Sequence, residues 1–269
     1  MKSFAARFAA IRSTAGPLVW GLDPSGPLLE QWGLGDDPDG LDRFADIVLP
    51  VAACSVGLVK PQSAFYERHG WRGIRTLTRL VADARSAGLL VILDVKRGDV
   101  GSTNDAYAQA YLGKDAPLAA DAITVHPYLG LGAMSAFVTR AHQSGGAVLV
   151  VTRSSNPEGR PMQAPVETAL LREIGQLNAE LAPGELGPVG AVVAPSAEPE
   201  LDLASANCLF LAPGVGAQGA SPQDVARAFA TCPDRVMPSA SRSLLAAGPD
   251  KNRLRDAVAD LAAEFRHIL

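Results

Sequence analysis

Lysine is scarce in this chain: there are five in 269 residues, against nineteen arginines. Cysteine is scarcer. Cys54, Cys208 and Cys232 lie far apart, without metal-ligand spacing. Cys54 and Cys208 have apolar neighbours and are expected to be buried thiols, which suits a reducing cytoplasm. No His, Cys or carboxylate cluster has the spacing of a metal site, and no GxSxG turn marks an activated serine. No apolar stretch is long enough to cross a bilayer. The net charge of −4 gives no general electrostatic case for nucleic acid or an acidic membrane as partner. The opening stretch MKSFAARFAAIRSTAG carries arginines inside its apolar pattern, so it reads as a short amphipathic helix rather than a signal peptide. There is no short-period repeat, low-complexity tract or Pro/Ser-rich linker. With so few lysines, the position of each one is informative.

What the chain does have is ample apolar material, 48% of its residues, arranged in alternation. Short runs rich in Val, Ile and Leu predict strands over Leu18–Leu22, Val56–Val59, Leu90–Val95, Ala122–Val125, Ala147–Thr152, Val189–Val193, Cys208–Leu211 and Arg235–Met237. Helical patterns follow near 41–53, 71–87, 103–112, 132–144, 165–181, 198–206, 221–230 and 250–268. The apolar runs are continuous, as in parallel strands covered on both faces. Eight such units in order predict an α/β fold, a (β/α)8 TIM barrel forming a single domain over 1–269 with a short extra N-terminal helix. An open doubly wound sheet is the rival. Gly26–Gly40 and Asn156–Pro165 are expected to be long loops on one barrel face.

Barrels of this kind place their chemistry at the C-terminal strand ends. The first run stops at Asp23, the second at Lys60, the third at Asp94 and Lys96, the fourth at Thr124 and His126, and the fifth at Arg153, Ser154 and Ser155. The stretch GLLVILDVKRGDVGST concentrates charge where the chain is most apolar. With a period of two, Asp94 and Lys96 share a side and Arg97 faces away. Lys60 falls beside Asp94, which gives a line of alternating charge through Lys60, Asp94, Lys96 and Asp99. Such an array is either a structural ion-pair network or a place for proton transfer and charged substrates. His126, in VHPY, reads as a structural residue in a tight turn. Gly214, Gly216 and Gly219 form a loop whose backbone N–H groups can approach an anion. Arg242, in SASRS, adds a guanidinium where these barrels commonly bind phosphate.

These stretches resemble the orotidine 5′-phosphate decarboxylase family. DVKRGDVGST matches its Asp-x-Lys-x-x-Asp signature, and KPQSAFYE and TVHPYLG are typical of its longer variety. The likeness runs from GLDPSG to SASRS, essentially the whole barrel. It implies a (β/α)8 homodimer that converts orotidine 5′-phosphate to UMP and CO2 in pyrimidine biosynthesis, with no metal or cofactor. It implies Lys96 as proton donor and Asp94 against the substrate carboxylate. Lys60 would hold the charge array and contact the ribose, as would Asp23. Asp99, Val100 and Thr103 would reach the neighbouring subunit's site. Ser155 would read the pyrimidine edge, with Ser154 adjacent to it, and Gln218 and Arg242 would bind phosphate. Two other readings stay open. One is a related barrel such as a hexulose-phosphate synthase, which uses a metal; Lys60–Pro61–Gln62 offers no ligand carboxylate for it. The other is a non-catalytic nucleotide-phosphate sensor, which would need Arg242 but not Lys96 and both aspartates.

Overall fold

The computed structural model describes residues 2–195 and 201–269. Eight parallel strands close into a barrel in sequence order: β1 (Val19–Leu22), β2 (Leu58–Pro61), β3 (Leu90–Arg97), β4 (Ala122–Val125), β5 (Ala147–Arg153), β6 (Val189–Val193), β7 (Phe210–Pro213) and β8 (Val236–Ala240). The seam closes with Val19 in register with Ser239 and Trp20 with Ala240. An open sheet is therefore excluded. The expected N-terminal helix is present as α1 (Phe4–Ala15), with Ser3 as its N-cap. Between β1 and β2 lie α2 (Gly26–Gln31) and α3 (Pro38–Ser55), and between β2 and β3 lie α4 (Ala64–Glu67) and α5 (Gly70–Ser86). Then come α6 (Gly101–Tyr111) before β4, α7 (Ser135–Ser144) before β5, and α8 (Arg160–Gln163) and α9 (Glu167–Leu181) before β6. The last are α10 (Pro222–Ala228), α11 (Arg242–Leu245) and α12 (Lys251–Ile268).

The packing follows from residue spacing. On α3, Leu41, Phe44, Ala45, Val48, Val51 and Ala52 repeat at helical period and are buried. Asp37 caps its first turn by accepting the Gly40 N–H at 2.8 Å. α3 and α5 are joined by Arg79 to Asp46 at the surface (2.8 Å) and by the buried Thr76 to Asp42 (2.7 Å). Two apolar clusters result, one between strands and helices and a smaller one inside the barrel. Val19, Leu58, Leu90, Ile92, Ala122, Leu149, Leu211 and Met237 fill the interior, and Phe4 and Phe8 of α1 join them to seal its lower end. Continuing each inward column by two residues reaches the mouth, and there the apolar series gives way to Lys60, Asp94, Thr124 and Ser239.

Several boundaries differ from the sequence expectation. The second strand is Leu58–Pro61 rather than Val56–Val59, because α3 runs on to Ser55 and its apolar end merges with the strand. The seventh is Phe210–Pro213, since a proline can finish a parallel strand at its rim. Gly26–Gly40 is not a long loop, for α2 and the start of α3 lie within it; Asn156–Pro165 holds a 3-10 turn and α8. The helix expected at 198–206 lies partly outside the described residues, and within them only a 3-10 turn, Ala204–Ala206, is found. Cys54 is exposed, not buried, because it sits on the outer face of α3; Cys208 is buried as expected. Among the described residues no helix is long and apolar enough to cross a membrane.

Candidate active site

A cavity of about 340 Å³ opens at the C-terminal ends of the strands, within the size range of small-molecule sites. Asp23, Lys60, Asp94, Lys96, Ser155, Gln218 and Arg242 all line it. These seven residues singled out from the sequence thus converge. Asp99 and Thr103 do not. Asp99 accepts the Val100 N–H at 2.8 Å, and Thr103 is exposed on α6. The line of four alternating charges is therefore three within this chain.

Asp94 is the centre of the array. Lys60 Nζ lies 3.2 Å from its Oδ2 and Lys96 Nζ 2.6 Å from its Oδ1. Thr124 Oγ1 donates to Oδ1 at 2.7 Å. The Gln62 amide, with its nitrogen turned to Asp94, donates to Oδ2 at 2.6 Å and to the Asp94 carbonyl at 3.2 Å. Burial alone would raise the Asp94 carboxyl. The charges of Lys60 and Lys96, with the Lys96 and Thr124 hydrogen bonds, outweigh it and hold the group well below the usual carboxylate range. For Lys60, burial pulls downward, but Asp23 and Asp94 more than offset it and the ammonium is raised. Asp94 and Lys60 are thus both charged at neutral pH. Lys60 and Asp94 are buried, whereas the Lys96 side chain is 41% exposed to the cavity.

The two aspartate and lysine side chains of β3 meet, but not by simple strand alternation. Leu93 pairs with Ile123 and Arg97 with Val125, so four steps on β3 match two on β4. The extra residues form a bulge, and Lys96 within it has φ +44°, a left-handed backbone that side-chain-bearing residues rarely adopt. Arg97 faces away, as expected, and donates to Glu67 at 2.6 Å and Tyr111 at 3.2 Å. Gly98 is required because a Cβ there would lie 2.7 Å from the His126 carbonyl. His126 stands beside the array. Burial and the Lys96 charge lower its imidazole, partly offset by Asp94, so it is neutral at pH 7.

The opposite side of the cavity is neutral and cationic. Ser155 Oγ donates to Gln218 Oε1 at 3.0 Å, joining the loops after β5 and β7. Ser154 instead bonds Asn156 and Gln163 within its own loop. Gly214 has φ +97°, and a Cβ on it would meet the Gln218 side chain at 2.9 Å. The Gly216 and Gly219 N–H groups are spent inside the loop on Ala220 and Gly216 carbonyls, so this loop is not the open nest of amides expected from its glycines. The Arg242 guanidinium makes no hydrogen bond or ion pair among the described residues. Asp23 Oδ1 and Ser241 Oγ also line the cavity and are buried without a hydrogen-bond partner among the described residues. From the sequence, Thr124 is only a strand end, Gln62 only a residue that is no metal-ligand carboxylate, and Ser241 only one of the hydroxyls of SASRS. The inward period of β4 and β8, through Ala122 and Ser239, was the signal that could have found Thr124 and Ser241.

Among the described residues no three His, Cys, Asp or Glu side chains are grouped to hold a metal ion.

Comparison with known proteins gives one answer. The family model described as "Orotidine 5′-phosphate decarboxylase / HUMPS family" matches residues 17–257. The chain is 47% identical over 277 residues to orotidine 5′-phosphate decarboxylase of Salinispora arenicola, covering 100% of this chain and 99% of that one. It is similar to a crystal structure from Streptomyces avermitilis assigned to orotidine 5′-phosphate decarboxylase, with a TM-score of 0.93, 43% identity, and coverage of 100% and 96%. It is also similar to UMP synthase of Leishmania donovani, with a TM-score of 0.80 and 25% identity, covering all of this chain and 56% of that one.

Proposed function

Since the chain belongs to the orotidine 5′-phosphate decarboxylase / HUMPS family, we propose that Lys96 is the proton donor of its reaction, the decarboxylation of orotidine 5′-phosphate to UMP and CO2. The activity is that of its full-length relatives and belongs to pyrimidine biosynthesis. The observation that carries the Lys96 role is geometric. Of the two ammonium groups paired with the buried Asp94 carboxylate, that of Lys96, at 2.6 Å, is the one exposed to the cavity, whereas Lys60 is buried.

The reaction breaks the bond from C6 of the pyrimidine to the carboxylate carbon and leaves the electron pair on C6. Asp94, ionised and fixed by four groups, lies against the substrate carboxylate and disfavours its charge in the ground state. Lys96 stabilises the pair as it develops, then its Nζ gives a proton to C6, forming the C–H bond of UMP. The neutral amine regains a proton from solvent, to which it is open. Lys60 and Asp23 hold the ribose. Ser155 reads the pyrimidine edge. Gln218 and the uncommitted Arg242 bind the phosphate, and Ser241 adds a hydroxyl to that wall. Binding far from C6 accelerates the step to the degree that it is realised in the transition state. This ledger of charges uses no metal, in contrast to the hexulose-phosphate synthase reading. The whole of 1–269 serves as one domain in a reducing cytoplasm, with its three cysteines unpaired.

The same reading makes the enzyme a homodimer with shared sites. Asp99, Val100 and Thr103 stand outside their own cavity, and Val100 is exposed, as are Tyr128 and Leu129 on the adjoining loop. Asn104 ties the two loops by donating to the Asp99 and Ala133 carbonyls. Asp99 and Thr103 then complete the partner's site. Mixing Lys96→Ala and Asp99→Ala chains tests this. A mixed dimer has one site with both defects and one intact, so free exchange restores activity at about a quarter of the sites. Exchange seen by mass spectrometry without returning activity would place Asp99 in its own chain's site or nowhere near chemistry. For the proton donor, loss of orotidine monophosphate absorbance is followed. A Lys96→Ala enzyme retaining more than a tenth of the rate would remove Lys96 from the role.

A further inference from the structure

Thr124 lines the cavity and has no part in the chemistry above, yet it holds two hydrogen bonds at the centre of the array. Its Oγ1 accepts the backbone N–H of Lys96 at 3.0 Å and donates to Asp94 Oδ1 at 2.7 Å. Lys96 Nζ donates to that same Oδ1 at 2.6 Å. A ring closes: Lys96 backbone, Thr124 hydroxyl, Asp94 carboxylate, Lys96 ammonium. A hydroxyl has one proton to give. With Asp94 taking it, the oxygen lone pairs face Lys96 N–H, and the direction of every bond in the ring is fixed.

The need for such a ring lies in β3. Its bulge interrupts the regular pairing with β4 between Leu93 and Arg97, so the Lys96 N–H has no ladder carbonyl. The backbone there is left-handed, a conformation that persists only where its surroundings enforce it. Thr124 supplies the missing acceptor from a side chain. It is well placed to do so: it is β-branched, 1% exposed, and sits mid-strand in register with Leu149 of β5. We infer that Thr124 is a positioning residue for decarboxylation, one hydroxyl that pins the left-handed backbone of Lys96 and aims its ammonium together with Asp94. The inference rests on Lys96 being the proton donor.

The test compares Thr124→Val, which keeps the shape and removes the hydroxyl, with Thr124→Ser, which keeps the hydroxyl. Misplacement of a reacting group by about 1 Å costs on the order of 10²-fold in rate. Thr124→Val is therefore expected to lower kcat by about that factor, with KM and UMP affinity within about threefold, because phosphate and ribose contacts are untouched. Thr124→Ser is expected to recover kcat to within about threefold of wild type. A crystal structure of Thr124→Val is expected to show Lys96 out of the left-handed region. Should the valine variant not fold, Thr124→Ala carries the same comparison. Equal kcat for valine, serine and wild-type enzymes overturns the inference, as does a valine variant that only melts earlier with unchanged kcat per folded molecule. Lys96→Ala is assayed beside them. If it stays active, the proton-donor reading has failed; if it is dead while Thr124→Val is fully active, only the positioning role has.

Discussion

Two carboxylates on the rim of this barrel are each held between two cations, and they differ in what the cations can do. Asp94 sits between Lys60 and Lys96. Glu167, at the start of α9, sits between Arg153 and Arg160. Arg153 grips it with Nε at 2.9 Å and Nη2 at 2.7 Å, and Arg160 adds Nη1 at 2.9 Å. Both carboxyls are buried, and both are held below the usual range by their cations against the opposing effect of burial. A lowered pKa therefore does not separate a reactive group from a structural one. Proton lability and access do. A guanidinium keeps its proton and forks onto a carboxylate in one geometry. An ammonium can part with a proton, and that of Lys96 stands in an open cavity. The Glu167 cluster fastens the end of β5 and α8 to the start of α9. The Asp94 cluster faces the cavity.

The contrast can be broken most directly at its two centres. Lys96→Ala is expected to lower kcat by about 10⁴-fold or more, the combined scale of a lost general acid and lost charge stabilisation. Its circular dichroism should match wild type, and an unfolded variant would make the Asp94 cluster structural after all. Glu167→Gln is expected to do the reverse. Removing one partner of a buried ion cluster costs about 3–5 kcal/mol. The urea midpoint should fall accordingly, while kcat of the folded enzyme stays within about tenfold. A stable Glu167→Gln enzyme with no activity would erase the distinction.

Arg242 sharpens the comparison as a third kind of cation, one without a carboxylate. A charge-assisted hydrogen bond contributes about 1.5–3 kcal/mol. Arg242→Ala should therefore lower kcat/KM by roughly 10- to 150-fold and weaken UMP, read by titration calorimetry. Unchanged efficiency would put the phosphate elsewhere. The smallest effect concerns the backbone. Lys96, at φ +44°, is strained, and neither Arg153 nor Glu167 is. Lys96→Gly should be more stable than Lys96→Ala by about 1 kcal/mol, the opposite of the usual order outside the left-handed region. Equal urea midpoints for the two variants would show the bulge to be unstrained.

Much of this was legible in the sequence because it depends on residue type and simple periods. The inner parts of the eight strands are apolar runs, and the charged residues that stop them converge on one mouth. Asp23, Lys60, Asp94, Lys96, Ser155, Gln218 and Arg242 meet there as spacing and resemblance suggested. What escaped depends on departures from period. The β3 bulge cannot be seen in LDVKRGD, so the hydroxyl of Thr124 had no visible partner. Glu167 and Arg153 lie fourteen residues apart across a loop that reads as polar, and nothing local marks them as a buried pair. The glycines of 214–219 signalled a turn correctly, but whether their amides face a ligand or one another is decided by the closed loop.

Helix α1 does more than seal the barrel floor. Arg12 donates to the Leu269 carbonyl at 2.6 Å, and Arg266 of α12 donates to the Ala15 carbonyl at 3.2 Å. The first and last helices are thereby clasped together below the floor, on the side away from the mouth. Seen as a problem of attachment, the molecule has a handle and a working face on opposite poles. A tether, a surface linker or a second enzyme joined after Leu269 would leave by the handle and keep the mouth turned outward. Immobilised in that orientation, the protein would present its cavity to the bulk solution, and neighbouring molecules would still be free to meet through their rims.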